Sequence, residues 1–366
     1  MGFFFQLIHP FFIQATYKPN PEAYVRSIKN RFTSVEVLTL PNVKQICVLA
    51  YCEDSATLYI AFLGSVDLDD WLVNLDTEMV ELNDHLYKAP EEDEEEEEEL
   101  YGPEVKSHQG FTKRAKKWME VLVLRMKNYK NKKVICTTGH SLGAATSAMV
   151  HILLNTEFNA ENYSDFALVF YNVTFALPLF GNLALKKIME SNSENMRNMF
   201  NFVNYDDIVP AVGFIPHVFN NLSYFKQFWA SSTKFLSKLL MSFEIMVPES
   251  GEQKEEFDEI VKRLAKQIAE KKGTYNPLFE KISPETYMPI GTYIFMKGSE
   301  LYEFPFSQGS DHQWVGQLIS ESLKILRSAV PDVLKNHAVD TYGSQMTRCL
   351  TNGVHENFMF WKMESD

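Results

Sequence analysis

Short apolar runs rich in β-branched and aromatic residues alternate with segments of helical periodicity over residues 43–205. The apolar runs predict β-strands at residues 43–53, 56–63, 133–138, 167–176 and 199–205. The periodic segments predict helices at residues 110–130, 142–155 and 183–190. Strands that alternate with helices are typical of an α/β fold with a mostly parallel central sheet.

The alternation stops after Pro210. Residues 214–247 are rich in aromatic residues and weakly helical in pattern, and a charged helical pattern follows at 253–272. We therefore predict that residues 214–285 form a helical insertion in the fold.

The last part of the chain returns to the sheet. Strand patterns at residues 289–296 and 301–306 indicate a late hairpin. Helical patterns at 315–327 and 331–350 close the chain, and no internal repeat is visible. Residues 1–366 are therefore predicted to form a single domain.

The composition is that of a globular protein with one strongly acidic segment. Of the 366 residues, 45% are hydrophobic and 13% are aromatic, which is enough to bury a large core. The formal net charge is −13, but residues 91–99 are all Asp or Glu, and without them it would be about −4. Like charges at this density repel each other, so we predict a disordered acidic loop at 88–104. The remaining chain lacks the basic surface that binds phosphates, which excludes nucleic acid as a partner.

The cysteines and the N-terminus bear on the cellular compartment. The four cysteines are irregularly spaced and suggest neither disulfides nor a zinc site, so a reducing, cytoplasmic location is expected. Residues 1–8 are apolar, but they include no basic segment and no obvious cleavage site follows. Secretion stays the alternative, although the glycosylation sequon at Asn172 lies in a predicted buried strand. No apolar stretch is long enough to span a membrane.

Residues 139–143 read Gly-His-Ser-Leu-Gly, the Gly-x-Ser-x-Gly pattern of a nucleophile elbow. A predicted strand precedes this pattern and a helix of small residues follows it, which is the context that the elbow requires. Ser141 would then lie at a helix N-terminus, where peptide dipoles favour negative charge developing on a substrate oxygen. The sequence therefore predicts an α/β-hydrolase with Ser141 as its nucleophile.

A serine hydroxyl becomes nucleophilic when a histidine accepts its proton and a carboxylate orients that histidine. In α/β-hydrolases these residues follow the serine in the order Asp, His. Asp206 and Asp207 lie just past the predicted strand 199–205, and we favour Asp207 with Asp206 as the alternative. Four histidines come later: His217, His312, His337 and His355. His337 is preferred because it comes late enough to return to the sheet edge, and His312 is the runner-up.

Several segments, in this order, resemble motifs of the class 3 lipase family, also called fungal lipase-like. Residues 61–65 (Ala-Phe-Leu-Gly-Ser) resemble the family's Phe-Arg-Gly-Thr/Ser oxyanion segment, and residues 107–111 (Ser-His-Gln-Gly-Phe) resemble Val-His-x-Gly-Phe. Residues 175–182 are similar to Phe-Gly-x-Pro-Arg-Val-Gly-Asn, and residues 207–210 to Asp-x-Val-Pro. His337 with Tyr342 fits the family's histidine and the tyrosine that follows it.

The resemblance implies a serine carboxylic-ester hydrolase that acts on lipid or other esters. It assigns Ser141, Asp207 and His337 to the catalytic triad, and Ser65 with the Leu142 backbone N–H to the oxyanion hole. It implies no cofactor and no metal. It also places the helical insertion between the catalytic aspartate and histidine, and the acidic loop in the position of the family's lid.

Three positions depart from the family motifs: Leu63 replaces Arg, Ala176 replaces Gly and Leu179 replaces Arg. The hairpin segment is more similar to plant lipase-like immune regulators, some of which act as scaffolds. A catalytically weak or inactive interaction protein on the same fold therefore stays the competing hypothesis. We also expect the protein to contact a lipid surface transiently, and to have a protein partner that binds the acidic loop or the helical insertion.

Overall fold

The computed structural model describes residues 10–28, 32–40, 43–64, 79–82, 104–159, 168–191, 198–204, 207, 210, 287–297, 300–304 and 338–351. Its strands are β1 (Phe32–Leu40), β2 (Val43–Cys52), β3 (Thr57–Phe62), β4 (Met79–Glu81), β5 (Lys106–His108), β6 (Val134–His140), β7 (Val169–Phe175), β8 (Met199–Asn204), β9 (Thr292–Lys297) and β10 (Glu300–Phe304). Its helices are α1 (Pro21–Ile28), α2 (Gln109–Met126), α3 (Leu142–Asn159), α4 (Leu183–Ser191) and α5 (Val339–Thr351), and residues 10–16 are also helical.

Eight of the described strands form one sheet in the order β1-β2-β3-β6-β7-β8-β9-β10. The pairings from β3 through β6, β7 and β8 to β9 are parallel. The pairings of β1 with β2, β2 with β3 and β9 with β10 are antiparallel. Parallel neighbours need crossover connections, which helices α3 and α4 supply between β6, β7 and β8. This mostly parallel sheet, flanked by helices, is an α/β-hydrolase-type fold.

The central strands are buried on both faces. Every residue of β3 and of β8 is buried, which is expected for strands that have helices above and below. Strand β1, at the sheet edge, instead mixes buried, partly buried and exposed positions.

The helices divide between the two faces of the sheet. One core cluster contains side chains of α2, α3 and α4, among them Trp118, Ala145 and Leu185. The other contains side chains of the N-terminal helical segment, α1 and α5, such as Phe12, Val25 and Tyr342. Helix α3 is apolar nearly all round, as expected of a helix that lies deep in the protein.

The sequence predicted most of this order. The strands expected at 43–53, 56–63, 133–138, 167–176 and 199–205 are confirmed as β2, β3, β6, β7 and β8, and the late hairpin is confirmed as β9 and β10. The helices expected at 110–130, 142–155 and 183–190 are confirmed as α2, α3 and α4. Strands β1, β4 and β5 and helix α1 were not predicted.

Boundaries moved where tertiary contacts extend an element. Strand β6 continues two residues beyond the predicted end at 138, because Gly139 and His140 pair with β7. Asn172 lies fully buried in β7 and donates to Ser147 Oγ (2.6 Å) and Thr137 Oγ1 (2.9 Å). Its sequon is therefore closed to glycosylation in the folded protein, as the strand pattern predicted.

Other predictions fall on parts of the chain outside the described residues. These parts include the insertion 214–285, the helical pattern 315–327 and most of the acidic loop 88–104. The division of the chain into a single domain with these two segments stays a prediction. Of the helices that the structure describes, none has both the length and the hydropathy needed to cross a bilayer.

Candidate active site

The turn between β6 and α3 has the backbone geometry of a nucleophile elbow. Strand β6 ends at His140 and α3 begins at Leu142, so Ser141 alone makes the turn. Its φ is +57°, in the left-handed region that residues with a side chain rarely adopt. The Ser141 N–H donates to the Phe175 carbonyl of β7 (3.0 Å), and the Ser141 carbonyl accepts from Ala144 N (2.9 Å). The sheet and the helix together therefore hold this conformation, which is the kind of strain that functional sites retain.

The two glycines of the elbow are required by close backbone approaches. A Cβ on Gly139 would lie 2.2 Å from the Gly143 carbonyl oxygen. A Cβ on Gly143 would lie 2.3 Å from the Phe62 carbonyl oxygen at the end of β3. Neither contact leaves room for a methyl group, and backbone atoms cannot move aside as a side chain does. The Gly-x-Ser-x-Gly pattern is therefore explained by packing of α3 onto the sheet.

Replacing Gly143 with Ala should lower the free energy of unfolding by about 3 kcal/mol or more. Alanine favours a helix over glycine by only about 1 kcal/mol, so the collision with β3 outweighs the gain in helix propensity. Chemical denaturation monitored by circular dichroism measures the difference.

Gly343→Ala is the matched control, because Gly343 also lies in a helix, α5. There a new Cβ meets the end of the flexible Gln14 side chain at 2.9 Å. The control should change stability by less than about 1 kcal/mol. Equal stability of the Gly143→Ala and wild-type proteins would contradict this explanation of the elbow.

Ser141 lies at the N-terminus of the most buried of the described helices. It is only 2% exposed, and small buried residues of α3 follow it: Ala144, Ala145, Ser147 and Ala148. These let the helix approach the sheet closely, so the N–H groups of its first turn, that of Leu142 included, lie beside the serine. A helix N-terminus of this kind stabilises an anion next to Ser141.

The segment at the end of β3 packs directly against the elbow. A Cβ on Gly64 would lie 2.7 Å from the His140 carbonyl oxygen and 2.1 Å from the Tyr17 hydroxyl. Gly64 is the last described residue before Ser65, the predicted oxyanion-hole residue, which lies outside the described part of the chain. The backbone that leads to Ser65 is thus in contact with the residue that precedes Ser141.

Asp207 lies three residues past Asn204, the last residue of β8, and its carboxylate has a defined partner. The side chain is 5% exposed. Its Oδ2 accepts a hydrogen bond from the Tyr342 hydroxyl (2.6 Å), and that hydroxyl accepts from Asn204 N (3.0 Å). Burial and the negative charge of Asp207 raise the pKa of Tyr342 well above its ordinary value of 10.0, so the tyrosine stays a neutral donor.

Tyr342 of α5 lies between the two halves of the site. Its ring is 5.4 Å from the His140 ring and 5.9 Å from the Phe175 ring, both in edge-to-face geometry. On the elbow side, His140 Nδ1 hydrogen-bonds the Tyr17 hydroxyl (3.2 Å). These contacts join the residue before Ser141 to the tyrosine that holds Asp207.

The structure thus brings Ser141, Leu142 and Asp207 to one edge of the sheet. Strands β6 and β8 run parallel on either side of β7, so the residues that follow them lie at the same carboxyl edge. His337 lies outside the described residues, as do Asp206 and His312, the alternatives that the sequence left open. In sequence, His337 comes two residues before α5, the helix that carries Tyr342.

The residues that depart from the family motifs are all buried. Ala176 has φ +53°, in the left-handed region that glycine adopts more readily than alanine. Its N–H donates to the Phe202 carbonyl (3.0 Å), which holds this conformation. Leu63 and Leu179 are both buried, in positions that suit an apolar side chain.

Two other motif residues have structural roles. His108 caps α2, because its Nδ1 accepts from the N–H groups of Gly110 (3.1 Å) and Phe111 (3.4 Å). Asn182 caps α4 by accepting from Leu185 N (3.0 Å) and also binds the Lys106 N–H of β5 (3.1 Å). Among the residues that the structure describes, no three His, Cys, Asp or Glu side chains are grouped to hold a metal ion.

Solved structures similar to this chain include fungal lipases. The Rhizomucor miehei triacylglyceride lipase is 20% identical, with 58% of this chain and 74% of that chain covered and a TM-score of 0.40. A triacylglycerol lipase from Penicillium expansum is 12% identical over 82% of each chain, with a TM-score of 0.45. The Lip2 lipase from Yarrowia lipolytica is 18% identical, with 58% and 72% covered and a TM-score of 0.39. No curated protein matches the chain.

The parallel sheet and the strand–serine–helix elbow define the α/β-hydrolase fold. Residues 59–217 match the model of the lipase (class 3) family, which confirms the resemblance of the motifs that lie within this segment. The matched segment contains the elbow, Asp207 and the end of β3. The family match supports assignment of the chain to the lipase-like ester hydrolases as a class.

Sequence reasoning missed three residues near this site: Tyr17, Gln45 and Trp118. Tyr17 contacts His140 across 123 positions of the chain, and Trp118 binds Gln45 across 73. Of the three, only Gln45 has a local signal in the sequence, because it is a polar residue within an apolar strand pattern.

Proposed function

We propose that this protein is a serine carboxylic-ester hydrolase that cleaves lipid or related esters through an acyl-enzyme intermediate. The observation that carries the proposal is the left-handed Ser141 between β6 and α3, held by hydrogen bonds from both sides. A strained serine at a helix N-terminus is the arrangement that α/β-hydrolases use for nucleophilic attack on a carbonyl.

In the proposed reaction, Ser141 Oγ attacks the ester carbonyl carbon while His337 accepts the hydroxyl proton. The resulting oxyanion is stabilised by the Leu142 N–H and by Ser65. Collapse of the tetrahedral intermediate breaks the ester C–O bond, and the alcohol leaves with the proton from His337. Water then attacks the acyl-enzyme with His337 as base, which releases the acid and restores Ser141.

Asp207 has the role of orienting His337 and stabilising its protonated form. The hydrogen bond from Tyr342 supports this role, because it fixes the buried carboxylate at the edge of the sheet where Ser141 lies. No cofactor or metal takes part in the proposed mechanism.

The proposal also covers the kind of substrate and the cellular compartment. We expect an ester with an acyl chain, transient contact with a lipid surface and a role in lipid degradation. A protein partner of the acidic loop or of the helical insertion is also expected. The four cysteines are all buried and none is in a disulfide, which supports a cytoplasmic location.

Labelling with a fluorophosphonate probe tests the proposed nucleophile. We expect the probe to react covalently with Ser141, which tandem mass spectrometry of the tryptic digest would locate. Ser147 is the internal control, because it is fully buried in the same helix and hydrogen-bonded to Asn172. A series of p-nitrophenyl esters from acetate to palmitate then ranks the acyl chains. Absence of labelling in well-folded protein would instead favour a catalytically inactive scaffold.

A further inference from the structure

Gln45 is a polar side chain buried in the core. It lies in β2, is 1% exposed, and makes three hydrogen bonds that the structure describes. Its Nε2 donates to the Leu63 carbonyl oxygen (2.7 Å) and to Thr146 Oγ1 (3.3 Å). Its Oε1 accepts from Trp118 Nε1 (2.8 Å). Burial of an amide is costly unless its polar atoms are paired, and these contacts pair them.

The partners fix the orientation of the amide. Trp118 Nε1 can only donate, and the Leu63 carbonyl can only accept. The Gln45 oxygen must therefore face the indole and its nitrogen must face the carbonyl. Trp118 is itself held in place, since its ring packs edge-to-face on Phe62 at 5.7 Å.

The two donated hydrogen bonds lead to the two sides of the predicted oxyanion hole. Leu63 directly follows β3 and is two residues before Ser65 in the sequence, so its carbonyl is held where the described backbone leaves the strand. Thr146 Oγ1 in turn donates to the Leu142 carbonyl (3.0 Å), in the first turn of α3. The Gln45 side chain thus connects two parts of the predicted oxyanion hole. One is the segment that leads to Ser65, and the other is Leu142, whose backbone N–H is the second predicted donor.

The same region is packed too closely for its backbone to shift freely. The Leu63 N–H donates to the Ile46 carbonyl (3.0 Å), which extends the pairing of β2 with β3. A Cβ on Gly143 would lie 2.9 Å from the Leu63 carbonyl oxygen. The side chain at position 63 is leucine, where the family motif has arginine, so it cannot serve as a polar anchor.

We propose that Gln45 is a positioning residue that fixes the Leu63 carbonyl relative to the first turn of α3 and so sets the geometry of the oxyanion hole. This inference rests on the proposed function. Gln45 does not touch the substrate; it acts through Leu63 and Thr146. Its loss should weaken stabilisation of the transition state and leave ground-state binding of the ester nearly unchanged.

Gln45→Met tests the proposal, because methionine keeps the length of the side chain and removes its amide. With a p-nitrophenyl ester that the wild-type protein turns over, we expect kcat to fall about 10- to 100-fold. KM should change by less than about threefold. Thr146→Val, which removes only the link to Leu142, should lower kcat in the same direction by a smaller factor.

Asn155→Leu is the matched control for loss of a buried amide. Asn155 is fully buried near the other end of α3 and donates to the His151 carbonyl (2.9 Å). This variant should keep the wild-type kcat. A folded Gln45→Met protein with wild-type kcat overturns the proposal, and so does an equal loss of kcat in Asn155→Leu. If Gln45→Met does not fold, a wild-type kcat in Thr146→Val overturns it.

Hydrogen–deuterium exchange separates this proposal from the proposed function. We expect the Leu63 and Gly64 amides to exchange faster in Gln45→Met than in the wild-type protein. If Gln45→Met does not fold, the same comparison is made with Thr146→Val. If the wild-type protein shows no Ser141-dependent turnover, the proposed function fails, and exchange alone decides the role of Gln45. If exchange at Leu63 and Gly64 is then unchanged, the proposal that Gln45 positions this segment is overturned.

Discussion

Ser141→Ala should lower kcat for ester hydrolysis by about 10⁶-fold, as loss of the nucleophile does in serine hydrolases with a triad. Without the hydroxyl no acyl-enzyme forms, and the remaining rate reflects only stabilisation of a direct attack by water. The fold should persist, because alanine keeps the backbone hydrogen bonds of the elbow to Phe175 and Ala144. Steady-state kinetics on the preferred p-nitrophenyl ester measure the effect.

Ser147→Ala provides the control for this variant. It removes a serine hydroxyl from the same helix, six residues further on, where the hydroxyl binds Asn172 rather than a substrate. It should lower stability without a comparable loss of kcat. If Ser141→Ala kept more than a small fraction of wild-type turnover, another residue would have to be the nucleophile.

Asp207→Asn should lower kcat by about 10⁴-fold. Asparagine has nearly the same shape as aspartate, and its carbonyl oxygen can still accept the hydrogen bond from Tyr342. It carries no negative charge, however, and so cannot stabilise the protonated histidine or select its productive tautomer. Activity should therefore be lost without a large loss of stability, which kinetics and chemical denaturation measure together.

Asp340→Asn is the matched control for the charge. Asp340 lies exposed on α5, two residues before Tyr342, and accepts a hydrogen bond from Gln14 (3.1 Å). Neutralising it should leave kcat within about twofold of the wild type, because exposed charges contribute little. If Asp207→Asn also kept most of its activity, Asp206 would become the candidate, and Asp206→Asn would test it.

Much of the site could be predicted because its signals are local. The elbow motif combines five consecutive residues with a strand before it and a helix after it, and the structure has that arrangement. Asp207 could be proposed because it follows a strand of the parallel sheet, where such folds place their sites. Hydrogen bonding to Tyr342 could not be predicted in the same way, since the two residues are 135 positions apart.

The β1 edge of the sheet was harder to predict than its centre. Strand β1 mixes buried and exposed residues, and its pairing with β2 shifts register near both ends. Such a strand has a weaker apolar signal than β3 or β8, which are buried throughout. Its identity as a strand depends on the neighbour that pairs with it.

The sequence by itself determined the order of the main-sheet strands from β2 to β10 and of helices α2, α3 and α4, the elbow at Ser141 and the place of Asp207. Each depends on short-range periodicity or on residues adjacent in the chain. Only the tertiary structure decided which polar side chains support these residues. Gln45, Trp118, Tyr17 and Tyr342 come from distant parts of the chain and meet through the packing of helices on the sheet. A hydrogen bond between such residues depends on distances of a few ångströms, which no local pattern specifies.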